Sequence, residues 1–115
     1  MTQPVESPSG LIQQDLIVGR GALAADGAEI RVHYVGKMLD GAQFDSSRNR
    51  CDPLDFEVGS GLVIAGLDQG VRGMRVGGVR KLTIPAALAY GDQGCGGVIP
   101  PGATIVFDVE LLEVA

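Results

Sequence analysis

The chain has 115 residues, 45% of them apolar and 20% charged, which is the length of one domain and rules out a disordered coil. Its 18 glycines are about twice the usual share of roughly 7%, and they follow no three-residue period, which excludes collagen and calls for many tight turns. Nine Lys and Arg against 14 Asp and Glu leave a net charge of −5, which argues against a nucleic-acid partner and against docking on acidic membranes.

Met1 to Gly10 holds Pro4, Pro8 and two serines, with no Lys, no Arg and no apolar run of signal-peptide length. It reads as a flexible N-terminal tail before a single domain over residues 11–115, and a cytoplasmic protein is expected. No stretch approaches the roughly 20 apolar residues of a membrane span. Cys51 and Cys95 are too few for a disulfide scaffold and are expected as free thiols.

Ile30, Val32 and Tyr34 alternate with Glu29, Arg31 and His33, the period-2 pattern of a half-buried strand. Asp40-Gly41 then signals a hairpin turn into a short strand that carries Phe44. From Val63 to Met74 the period changes: Val63, Ile64, Leu67, Val71 and Met74 fall within an arc of roughly 100° on a helix, with Asp68, Gln69 and Arg72 opposite. Gly66, Gly70 and Gly73 each cost such a helix about 1 kcal/mol relative to alanine, so packing must hold it.

Val79 to Ile84 reads as a strand stopped by Pro85, Ala86 to Tyr90 as a single helical turn, and Asp92 to Pro101 as a Gly- and Pro-rich loop. Thr104 to Val114 alternates Ile105, Phe107, Val109 and Leu111 inward, a central strand. The cations Arg72, Arg75, Arg80 and Lys81 read as a solvated face. Together these elements predict an α+β domain, an antiparallel sheet of about five strands wrapped around one short amphipathic helix.

Common catalytic signatures are missing. His33 is the only histidine and lies on the polar phase of its strand. One histidine and two distant cysteines do not give the about three or four ligands of a zinc site, so no metal or other cofactor is expected. There is no G-x-S-x-G elbow, no G-x-G-x-x-G and no P-loop. What remains is a set of aromatics on buried strand phases, Tyr34, Phe44, Phe56 and Phe107, with Tyr90 beside the Gly/Pro loop and Asp45 following Phe44. Taken singly, each phenylalanine is more simply a core residue. As a group they suit an apolar pocket with a few placed polar groups.

The blocks Val32-His33-Tyr34-Val35-Gly36, Phe44-Asp45-Ser46-Ser47-Arg48, Val63-Ile64 followed by Gly66, Tyr90-Gly91, and Val98-Ile99-Pro100-Pro101 through Val106 to Leu111 resemble the FKBP-type peptidyl-prolyl isomerases, in a compact bacterial single-domain form. The resemblance runs from about Leu11 to Val114. It implies a proline-binding pocket made by Tyr34, Phe44, Asp45, Phe56, Val63, Ile64, Tyr90, Ile99 and Phe107, with Asp45, Ile64 and Tyr90 as the catalytic set. It further implies that the Ile64 backbone N–H and the Tyr90 hydroxyl bond ligand carbonyls and that Arg50 pairs with Asp45. The chain departs from the family pattern at Leu67, where a tryptophan commonly floors the pocket, at Leu54 for a rim phenylalanine, at Leu62 for a glutamate, and at Cys95 for a histidine. Leu54, Cys95 and Val98 would give an apolar rim.

Rotation about an X–Pro bond faces a barrier of about 18–20 kcal/mol and needs no nucleophile. The resemblance therefore implies an isomerase acting on proline-containing polypeptides, monomeric, and able to bind macrolides such as tacrolimus or rapamycin more weakly than a tryptophan-bearing relative. The other reading is a non-catalytic module that grips a proline or a macrolide.

Overall fold

The structure is a computed structural model and describes residues 3–95 and 98–115. Met1 and Thr2 of the expected tail, and Gly96 and Gly97 of the expected loop, lie outside the described residues.

The order along the chain is β1 (Val5–Glu6), β2 (Ile12–Ile17), β3 (Glu29–Met38), β4 (Gln43–Ser46), β5 (Leu54–Glu57), α1 (Ala65–Gly70), β6 (Val79–Ile84), a 3-10 turn (Ala86–Leu88) and β7 (Ile105–Val114). Among the described residues the antiparallel sheet has seven strands, in the order β1-β2-β6-β7-β3-β4 with β5 also on β3, more than the expected five or so. β1 lies inside the segment read as a tail, where Val5 pairs with Gln13. Two residues of exposed backbone carry no hydrophobic period to read.

β3 organises the site. One edge pairs with β7 along its whole length; the other is shared, its first half by β5 (Val32 opposite Leu54) and its second by β4 (Val35 opposite Ser46). Ser47, fully buried, fixes the crossing between them. Its N–H donates to Tyr34 O at 3.0 Å, and its Oγ accepts the Tyr34 N–H at 2.7 Å. The alternation predicted for β3 and β7 holds, with Ile30, Val32, Ile105, Phe107, Val109 and Leu111 all buried.

The helix is shorter than its apolar stripe. It ends at Gly70, and Val71 and Met74 continue the buried face from turns. Its glycines explain how it is held. A Cβ on Gly66 would collide with Ile84 Cγ2, and one on Gly70 would lie 2.5 Å from Leu82 Cδ1. With hydrogen there instead, the helix backbone sits directly on β6, and the close contact offsets the propensity lost.

Two charged residues read as solvent-facing are buried. Asp68 is 7% exposed and Arg80 is 6% exposed. Arg80 shares the inward phase of β6 with Leu82 and Ile84, and its guanidinium is satisfied there. It donates to Asp15 Oδ1 at 2.6 Å and to the carbonyls of Gly70 and Arg72 at 2.8 Å each, closing the C-terminal end of α1. Buried charge persists only when paired and bonded in this way.

Candidate functional site

A cavity of about 250 Å³ opens between α1 and the sheet, lined by Tyr34, Asp45, Leu54, Leu62, Val63, Ile64, Leu67, Tyr90 and Phe107. Leu67, buried on α1, forms its apolar floor together with the ring of Phe107 from β7. Tyr34 and Phe44 flank Phe107 at ring-centroid distances of 5.5 and 5.9 Å, both tilted, the geometry that aromatic quadrupoles favour. Gly36 makes room for this trio: a Cβ there would lie 2.5 Å from Phe107 Cε1 and 2.7 Å from Phe44 Cζ.

One wall is polar. The Tyr34 hydroxyl donates to Asp45 Oδ2 at 2.7 Å and accepts from Arg50 Nη2 at 3.0 Å, while Arg50 Nη1 closes the triangle on Asp45 Oδ1. The guanidinium also stands 5.8 Å from the Tyr34 ring centre. Burial pushes the Tyr34 hydroxyl above the usual tyrosine value, and Asp45 adds to that against the opposing pull of Arg50. Tyr90 is also raised, chiefly by burial, with Cys95, Tyr34 and Asp45 adding to it. Both phenols are therefore neutral donors around neutrality.

The opposite wall is backbone. Ile64 precedes α1 in an extended conformation (φ −56°, ψ 146°), and its carbonyl accepts the first helical bonds from Leu67 and Asp68. Its N–H has no partner among the described residues, and the same holds for the Tyr90 hydroxyl. Asp68 fixes the segment leading there, accepting the N–H groups of Gly59 at 2.7 Å and Gly61 at 3.0 Å.

The structure thus brings Tyr34, Asp45, Leu54, Val63, Ile64, Leu67, Tyr90 and Phe107 onto one cavity, with Phe44 behind Phe107 and Arg50 outside Asp45. Phe56, opposite Ile30 and on the same face of β5 as Leu54, and Ile99, bridged to Cys95, are buried in the core, and neither is among the residues that line the cavity. Val98 is exposed on the loop and does not line the cavity. Leu62 also lines it, a position the sequence analysis marks only as a departure from the family's glutamate and does not place in the pocket. The signal was there, an apolar side chain contiguous with Val63 and Ile64 just ahead of the helix.

His33 points to the other side of β3 from Tyr34, with Nδ1 2.9 Å from Ser47 Oγ. Among the described residues no three His, Cys, Asp or Glu side chains converge to hold a metal ion, and no helix is long and apolar enough to cross a membrane.

Residues 21–112 match the family model for the FKBP-type peptidyl-prolyl cis-trans isomerase. An FK506-binding protein of Neisseria meningitidis serogroup B is 54% identical over 105 residues, covering 91% of this chain and 96% of its own length. A peptidyl-prolyl cis-trans isomerase of Saccharomyces cerevisiae is 56% identical over 92 residues, covering 79% of this chain and 68% of its own. Among solved structures, the crystal structure of AtFKBP13 superposes with a TM-score of 0.90 at 46% identity, over 99% of this chain and all of that one.

Proposed function

This chain belongs to the FKBP-type peptidyl-prolyl cis-trans isomerases and accelerates rotation about X–Pro bonds in polypeptides, and we propose that it does so in the cavity between α1 and the sheet, by desolvation and two fixed donors. A planar amide is more dipolar than a twisted one, so water favours the ground state. An apolar floor of Leu67 and Phe107 removes that preference. The Ile64 N–H and the Tyr90 O–H then hold carbonyls beside the rotating bond, and an interaction gained as the bond twists lowers the barrier. Asp45, held by Tyr34 and Arg50, keeps the polar wall in place, and no proton changes hands.

The observation that carries this reading is the pair of donors, the Ile64 N–H and the Tyr90 O–H, that have no partner among the described residues and belong to residues lining one cavity. Its test is a protease-coupled assay on a proline tetrapeptide. Tyr90→Phe removes one hydrogen bond worth about 0.5–1.5 kcal/mol and lowers kcat/KM roughly two- to twelvefold. An unchanged rate takes Tyr90 out of the mechanism; a loss of about a thousandfold, far beyond one hydrogen bond, means proton or covalent chemistry instead.

The same cavity is proposed to take macrolides such as tacrolimus and rapamycin, supported by its apolar lining and by relatives named for binding FK506. Leu67 offers no aromatic face, so Leu67→Trp should tighten these ligands by about 0.5–1.5 kcal/mol in calorimetry. A folded mutant with no gain removes Leu67 from the floor. We also read the protein as a cytoplasmic monomer, which suits its two exposed free thiols.

A further inference from the structure

Asp68 does not line the proline cavity, yet it holds the stretch of chain that does. It is only 7% exposed, and its carboxylate gives one oxygen to each of two backbone donors. Oδ1 accepts the Gly59 N–H at 2.7 Å and Oδ2 the Gly61 N–H at 3.0 Å. Both glycines take the left-handed conformation, at φ 87° and 75°, which turns their N–H groups toward one anion. A carboxylate so buried must keep its bonds, so it fixes the strap that supplies them. From its backbone, Asp68 also donates its own N–H to the Ile64 carbonyl at 3.1 Å. Residues 61–64 are thereby closed into a ring by one residue, and Leu62, Val63 and Ile64 of that ring line the cavity.

We propose that Asp68 is a positioning residue for the isomerisation, aiming the Ile64 N–H at the carbonyl beside the twisting bond by holding the chain on both sides of it. This rests on the cavity being the isomerase site and on Ile64 being one of its two donors. The carboxylate is required because the strap needs two acceptor atoms. Asparagine has the same shape but one acceptor, and its amide group would meet a glycine N–H donor to donor. The ring then turns, and a donor off its line contributes less as the bond twists. Glutamate keeps both oxygens, and an open cleft bordered by Gly61, Val63 and Asp68 leaves room for its longer stem.

The experiment measures kcat and KM separately on a proline tetrapeptide for the wild type, Asp68→Asn, Asp68→Glu, Ile64→Pro and the double variant Asp68→Asn with Ile64→Pro. Losing one of two hydrogen bonds leaves Asp68→Asn folded. Ile64→Pro removes the donor itself: the Ile64 φ of −56° suits proline, and its N–H has no partner among the described residues. Asp68→Asn lowers kcat roughly three- to tenfold with KM within about twofold of wild type, and Asp68→Glu recovers most of that loss. In the Ile64→Pro background, Asp68→Asn changes kcat by less than about twofold, because the group it positions is already gone. A kcat of wild-type size in Asp68→Asn, a Glu variant as slow as the Asn variant, or an undiminished effect in the Ile64→Pro background overturns the assignment to Asp68 while leaving the cavity standing. Full activity in Ile64→Pro removes the donor, and the proposed mechanism falls together with the role of Asp68.

Discussion

Tyr34 donates its hydroxyl proton to Asp45 Oδ2 at 2.7 Å, a bond that ties the centre of β3 to the end of the hairpin strand β4 across the mouth of the cavity. Arg50 bonds both partners from outside. Asp45→Ala leaves Arg50 without its carboxylate and frees Tyr34 to rotate into the cavity, so kcat/KM should fall about fivefold, with a loss of two bonds at the low end of their usual worth of about 0.5–1.5 kcal/mol each. Tyr34→Phe keeps the Asp45–Arg50 pair and should cost less. The protease-coupled assay orders the two variants; equal, wild-type rates for both would mean that this wall takes no part.

The seat of α1 on β6 predicts a stability effect that propensity alone has with the wrong sign. Alanine is the better helix former, yet Gly66→Ala drives a methyl group into Ile84, which is itself fully buried. A loss of about 1–3 kcal/mol is expected, lowering Tm by about 4–8 °C per kcal/mol. A rise in Tm would show that the helix does not rest on β6 as described.

Arg80 and Lys81 are neighbours in sequence with opposite surroundings, one buried and one exposed. Arg80→Met keeps the apolar stem but leaves the carbonyls of Gly70 and Arg72 without their donor. Urea denaturation should give a loss of about 2–3 kcal/mol, against a change within about 0.5 kcal/mol for Lys81→Met. Equal effects from the two would contradict the role given to Arg80.

Much of this architecture is legible wherever one face of an element is apolar. β3, β6 and β7 alternate so plainly that their inward residues can be named, and the same alternation puts Arg80 in phase with Leu82 and Ile84. Treating the cations as one cluster hid that phase. β1 was illegible because two exposed residues carry no period, and α1 ran short of its stripe because Val71 and Met74 bury from turns as well as a helix would. Asp68 looked solvated on a helical wheel because its partners are backbone N–H groups, which no side-chain pattern reveals. At the site, Tyr34, Asp45, Ile64, Tyr90 and Phe107 converge from separate elements, and the resemblance to a family, more than any spacing, brought them together in advance.

Both site tyrosines are raised above the ordinary value of about 10, and the first cause in each case is burial, which disfavours the phenolate. A folded-state value above the unfolded one contributes stability that is complete below the unfolded value and is lost as pH rises through the folded one. Thermal melts should therefore show no loss from these groups through neutrality and a decline only above about pH 10. A decline centred near pH 8 that Tyr34→Phe or Tyr90→Phe abolishes would reverse the direction assigned here.

The central claim is that the cavity works through desolvation and fixed donors, with no group gaining or losing a proton during the reaction. Its most direct test is kcat/KM on an uncharged proline tetrapeptide across pH 6 to 8. The account predicts a nearly flat profile, because both tyrosine hydroxyls stay protonated throughout that range. A profile that rises or falls by about tenfold per pH unit within that range would bring a proton transfer into the chemistry and contradict it.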